Sequence, residues 1–137
     1  MRMILFTDGA ARGNPGPAAI GIVLIDASGK VIEALGEAIG NATNNEAEYR
    51  ALLRGLEIAG KHGNEIEVRT DSELMARQLK GAYKVRAENL KPLHDQAQRA
   101  LKRFKRSIIV IIPRELNRRA DALANQALDE RRTTADR

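Results

Sequence analysis

The chain contains no cysteine and no tryptophan, and only two phenylalanines and two tyrosines. Without cysteine it can form neither a disulfide framework nor a thiolate metal site, which suits a reducing compartment. With so few aromatics, a core must be built from Leu, Ile, Val and Ala. The 43% hydrophobic content of the 137 residues allows that for one domain. Long apolar runs are missing as well. The run Ile108–Ile112 falls far short of the roughly 18 residues of a membrane span. The opening "MRMILFTDG" has too short an apolar stretch for a secretory signal. These absences lead to the expectation of a soluble, cytoplasmic protein with no membrane partner.

The charge that is present is unevenly spread. Residues 1–79 hold 8 Lys/Arg against 11 Asp/Glu, whereas residues 80–119 hold 12 against 3. A basic block beside an acidic remainder suits a polyanionic partner such as nucleic acid. A well-solvated surface helix would give the same local composition.

The hydrophobic pattern alternates strands and helices. Strands are expected at 2–8, 18–26, 30–40, 65–71 and 107–113, the second and third joined by a turn at Gly29. Helices are expected at 44–63, 72–80, 88–105 and 117–132, with Thr43 or Asn44 capping the first. A meander followed by βα units implies an α/β fold, a mixed sheet with helices on both faces. A single domain is expected over residues 1–132, followed by a frayed tail at 133–137.

Four carboxylates stand out. Asp8 ends the first strand and Asp71 the fourth, where parallel strands of open sheets build ligand sites. In the first helix, Glu46, Arg50, Arg54, Glu57 and Lys61 share one charged stripe that reads as facing water. Glu48 lies instead on the apolar stripe with Leu52, Leu56 and Ala59, so it needs a partner. Asp121 borders the apolar face of the last helix. Taken alone, Asp71 also reads as a turn residue beside a Ser72 cap, and Asp121 as an ordinary acid in a first helical turn. Taken together, an oxygen-rich, thiol-free set suits hard cations such as Mg²⁺ or Mn²⁺.

The blocks "FTDGAARGNPGPAAIG", "NNEAEYRALLRGL", "RTDSE" and "NRRADALANQAL" resemble the signature blocks of type 1 ribonuclease H, in order and spacing, across nearly the whole chain. The resemblance implies a five-stranded sheet of order 3-2-1-4-5. It also implies an endonuclease that cuts the RNA strand of RNA/DNA hybrids with two Mg²⁺ ions, leaving 5′-phosphate and 3′-hydroxyl ends, and working as a monomer. Asp8, Glu48, Asp71 and Asp121 match the metal-binding and catalytic carboxylates. Gly9 and the stiff loop after it let the backbone approach the substrate. Asn14 matches a loop residue that contacts the hybrid, Asn44 and Asn45 the pair that reads the minor groove, and Thr43 a residue lining a DNA-phosphate pocket.

The sequence departs from that pattern in three places. The loop "IIPRELNRRAD" lacks the histidine many members carry there, and Arg114 or Glu115 is expected to take over part of its role. The basic protrusion of many members is absent, and only "KGAYKVRAENLKPL" fills its place. Glu73 stands where a glutamine often contacts substrate. A non-catalytic hybrid-binding module on the same fold is the alternative reading. Loss of a carboxylate would favour it, and none is lost.

Overall fold

The computed structural model describes the backbone of residues 2–135 and side chains through residue 130. Five strands form one sheet: β1 (Arg2–Ala11), β2 (Gly16–Ile25), β3 (Val31–Ala42), β4 (Glu65–Thr70) and β5 (Arg106–Ile111). Their order is β3-β2-β1-β4-β5. β1 pairs antiparallel with β2 and parallel with β4, while β5 lies parallel to β4. Four helices complete the domain: α1 (Asn44–Ala59), α2 (Glu73–Leu79), α3 (Lys91–Lys102) and α4 (Arg118–Ala135).

Strand alternation assigns the faces. Met3 and Leu5 of β1, with Ile66 and Val68 of β4, pack under Leu52 and Leu56 of α1, Met75 of α2 and Leu101 of α3. On the opposite face Ala124, Ala127 and Leu128 of α4 pack on Ala19. The core is aliphatic apart from the fully buried Tyr49, whose hydroxyl donates to Gln78 Oε1 at 2.7 Å.

Several boundaries differ from those the sequence suggests. β1 does not stop at Asp8. Its antiparallel ladder with β2 continues to Ala11↔Ala18, whereas its parallel ladder with β4 stops at Thr7↔Thr70. The small residues after Asp8 lack apolar bulk but still pair. α1 ends at Ala59, with Gly60 as its C-cap, rather than at 63. α3 starts at Lys91 rather than 88, and Pro92 falls in its first turn, where the missing N–H is harmless. Glu46 is not simply a surface charge. It completes a capping box in which its side chain accepts the Thr43 N–H at 2.8 Å and the Thr43 hydroxyl accepts the Glu46 N–H at 3.1 Å. Of the tail expected at 133–137, residues 133–135 continue α4, and 136–137 lie outside the described residues.

Glycines govern how closely the helices approach, Gly21 and Gly9 most directly at the site. A Cβ on Gly21 would lie 1.8 Å from the Ala120 carbonyl oxygen, and one on Gly9 would lie 2.2 Å from the Ala47 carbonyl carbon. The backbone of α4 therefore rests on β2, and that of α1 rests on β1. Neither obstacle is a flexible side chain that could swing aside. Gly21→Ala is expected to lose about 3 kcal/mol in urea denaturation, the upper end of overpacking costs. Gly29→Ala meets nothing within 4 Å and should lose only about 1 kcal/mol, from its φ of +91° alone. Equal losses at the two sites would refute the close-docking account.

Candidate active site

The four sequence-selected carboxylates converge at one end of the inner strands β1 and β4. Asp8 is the first residue beyond the β1–β4 ladder, and Asp71 directly follows Thr70, the last residue of β4. Asp8 pairs with Gly21, so its side chain emerges on the face that α4 covers. There Asp121, in the first turn of α4, comes within hydrogen-bond reach of the Asp8 carboxyl. Glu48 arrives from the opposite face, on α1, and its Oε1 accepts the Gly9 N–H at 2.9 Å. Carboxylate oxygens of Asp8, Glu48 and Asp71 all lie within 4.8 Å of one another. All four acids line an open cleft of about 850 Å³, together with Gly9, Arg12, Asn44, Arg114 and Asn125 among others.

Packing acids this tightly has an electrostatic consequence. Asp8 is only 6% exposed, and its pKa is pushed up to about 8. Burial is the largest cause, followed by the charge of Asp71 and by the hydrogen bond and charge of Asp121. Glu48 is raised well above the usual carboxylate range, chiefly by burial and then by Asp8 and Asp71. The Gly9 N–H and the Arg114 guanidinium pull it partly back, and Arg114 also acts on Asp8. The acids therefore cannot all ionise unaided, and a cation among them would remove the repulsion. A trio of oxygen donors with no sulfur or imidazole fits a hard divalent ion.

The remaining candidates occupy varied places. Asn44 lines the cleft; its Oδ1 accepts the Ala11 N–H at 3.1 Å, and its own N–H donates to Asn14 Oδ1 at 3.0 Å. This chain of bonds ties the loop after β1 to the start of α1. The Thr43 hydroxyl is engaged as the α1 cap, and Asn45 is exposed in the first turn. Arg114 belongs to a 3₁₀ turn (Arg114–Leu116) and faces the cleft. Glu115 does not line the cleft; it borders a separate cavity with Phe6, Val23 and Ile25. Glu73 lines the cleft, and its charge is countered by Arg77 at 2.8 Å. His62 pairs with Glu33, and neither it nor His94 lines the cleft.

Sequence reasoning missed two asparagines. Asn125 donates through Nδ2 to Asp121 Oδ1 at 3.2 Å, and so steadies that carboxylate. Its position four residues after Asp121 was the available signal. Asn117, 1% exposed, donates through Nδ2 to the Thr7 carbonyl at 2.9 Å. No periodicity marks it, although it opens the "NRRADALANQAL" block.

The raised Asp8 pKa fixes the sign of a pH effect. The unfolded chain ionises Asp8 near 3.8, the folded one near 8. Between those values the native state holds a proton that the unfolded chain has released. Metal-free stability therefore falls as pH rises from about 4 to about 8. In EDTA at pH 8, Asp8→Asn should melt about 5 °C above wild type, and close to it at pH 4. Thermal denaturation at the two pH values checks this. A variant that melts no higher than wild type at pH 8 would contradict it.

Residues 6–127 match a family model described as Reverse transcriptase-like. Ribonuclease HI of Halobacterium salinarum is 46% identical over 130 residues, 94% of this chain. This chain spans 65% of that protein's length, and 36% of the length of a bifunctional protein of Mycobacterium tuberculosis that is 44% identical over 131 residues. The crystal structure of RNase H1 from H. salinarum superposes with a TM-score of 0.93 at 45% identity, covering 95% of this chain and 99% of that one. LC11-RNase H1, isolated from compost by a metagenomic approach and solved in complex with an RNA/DNA hybrid, superposes with a TM-score of 0.89 at 44% identity, covering 93% and 97%. With so much of both chains aligned at that identity, kinship follows directly: this chain belongs to the ribonuclease H family.

Proposed function

We propose that this chain is an endonuclease that hydrolyses the RNA strand of RNA/DNA hybrids, leaving 5′-phosphate and 3′-hydroxyl ends. The observation that carries the reading is the convergence of Asp8, Glu48, Asp71 and Asp121 on one cleft. Family membership and the hybrid bound to LC11-RNase H1 point the same way. With this reading go Mg²⁺ as the resident cation, a monomeric state and a cytoplasmic setting.

The four carboxylates would hold two Mg²⁺ ions, with Mn²⁺ as a substitute. When bound, the ions supply Lewis-acid charge at the scissile phosphate and lower the pKa of the attacking water. The chain's own groups do the rest. The Gly9 N–H holds Glu48 at 2.9 Å, and Asn125 holds Asp121, so two ligands are fixed before substrate arrives. Arg114 brings a permanent positive charge to the cleft, suited to a phosphate oxygen or the leaving group. Asn44 and Asn45 amides can both donate to and accept from ribose 2′-hydroxyls, which distinguish RNA from DNA. Lys80, Lys84, Lys102 and Lys105 have no acidic partner among the described residues, and offer charge to the duplex backbone.

The decisive test compares wild type and Asp71→Asn on labelled RNA/DNA hybrid, double-stranded RNA and double-stranded DNA, with and without Mg²⁺. Wild type should cut only the hybrid and only with metal. Asp71→Asn should be slower by about 10³-fold, or ~4 kcal/mol of transition-state stabilisation. Tight hybrid binding with no cutting at all would favour the non-catalytic reading instead, and metal-independent cutting would refute the role given to the metal. Arg114→Ala should lower kcat about tenfold. It should also lower the Mg²⁺ concentration giving half-maximal rate, because a competing cation has gone. Unchanged turnover and unchanged metal dependence would remove Arg114 from the site.

A further inference from the structure

We propose that Asn117 is a positioning residue that sets the spacing between Asp8 and Asp121, and with it the affinity of the site for divalent ions. The inference rests on the nuclease reading only in taking those two aspartates as metal ligands.

The argument begins where the β1–β4 ladder stops, at Thr7↔Thr70. Past that point the segment from residue 112 to 117 takes over the backbone of both strands. The Ile112 N–H donates to the Thr70 carbonyl at 2.9 Å. Asn117 Nδ2 donates to the Thr7 carbonyl, also at 2.9 Å. Each of these carbonyls lies in the peptide unit immediately before an acid, Asp71 in one case and Asp8 in the other. A peptide unit is planar, so fixing its oxygen fixes the direction in which the next Cα leaves it.

Asn117 does a second thing with its main chain. Its carbonyl accepts the Asp121 N–H at 3.1 Å, the first helical bond of α4. One buried residue thus holds the peptide before Asp8 with its side chain and the backbone of Asp121 with its carbonyl. These two acids come from elements 110 residues apart at the Asn117–Thr7 contact. They must nevertheless meet at hydrogen-bond range.

Burying an amide at this position has a cost that an apolar residue would not have. Asn117 is 1% exposed, and among the described residues neither its Oδ1 nor the Thr7 Oγ1 has a hydrogen-bond partner. A buried acceptor left unpaired is unfavourable. An apolar residue would avoid that penalty but could not orient the Thr7 peptide.

The test uses Asn117→Ala and Asn117→Ser, both too short to reach Thr7. The serine variant keeps a polar group in case alanine does not fold. Circular dichroism first establishes a temperature at which wild type and variant are folded. Isothermal titration with Mn²⁺ alone is then run there, without substrate. The Mn²⁺ Kd should weaken about 10–100-fold, as for other residues that orient metal ligands. In hybrid cleavage, the Mg²⁺ requirement should rise in parallel, while KM for the hybrid at saturating metal stays at the wild-type value. A variant that melts lower but binds Mn²⁺ with wild-type affinity overturns the proposal, because it shows a structural role only. Wild type that binds Mn²⁺ but cuts no hybrid removes the nuclease reading, and weakened Mn²⁺ binding in the variants would still support the role of Asn117. Wild type that binds no Mn²⁺ overturns both.

Discussion

Mutual repulsion among acids is the constraint around which this fold is arranged. Asp8, Glu48 and Asp71 place carboxylate oxygens within 4.8 Å of one another, and Asp121 closes on Asp8 from a fourth element. Left to themselves such groups would separate or stay protonated, as the raised pKa values of Asp8 and Glu48 record. They are held together by the ends of two inner strands that cannot shift without breaking the central strand pairings, and by two helices pressed onto opposite faces of the sheet. The hydrophobic clusters on each face supply the stability that this arrangement opposes.

The small residues explain how helices from both faces reach the same strand ends. Gly21 lets the α4 backbone touch β2 directly beside Asp8, its cross-strand partner. Gly9 does the same for α1, and its freed N–H then binds Glu48. A methyl group at either position would push a ligand-bearing helix outward. The site depends as much on these absent side chains as on the acids themselves.

This bears on what was legible beforehand. The mixed sheet with helices on both faces and the choice of Glu48 over Glu46 as the inward acid followed from periodicity, because burial imposes a regular pattern on sequence, whereas the strand order came only from the family resemblance. Glu46 was half understood: its stripe is charged, but the Thr43–Glu46 capping box is an end effect that a helical wheel does not contain. The end of β1 was misplaced because apolarity stops at Asp8, while pairing needs only backbone and runs on to Ala11. Asn117 heads the "NRRADALANQAL" block, yet nothing in the sequence says what it holds. Its partner is a main-chain carbonyl at Thr7, and main-chain groups are the same at every residue. The polar contacts least visible in sequence are therefore those in which a side chain holds backbone.

Glu115 and Arg114 show the same limit from another side. Adjacent in sequence, both were candidates for the missing loop histidine, yet the 3₁₀ turn sends one into the acidic cleft and the other toward Phe6 and Val23. Turn geometry, not residue chemistry, separates them. Placing a guanidinium beside the acids changes the electrostatics in a way imidazole would not. Arginine stays charged across the whole pH range in which Asp8 titrates, so its pull on Asp8 and Glu48 is constant. A histidine would lose its charge near pH 6.5, while Asp8 is still changing state. On the proposed reading, the pH dependence of this enzyme then belongs to its carboxylates and their metal. An acidic cleft repels a polyanion until dications fill it, so cation binding and substrate binding must favour one another, and the basic residues of 80–119 act on a duplex that the cleft alone would reject.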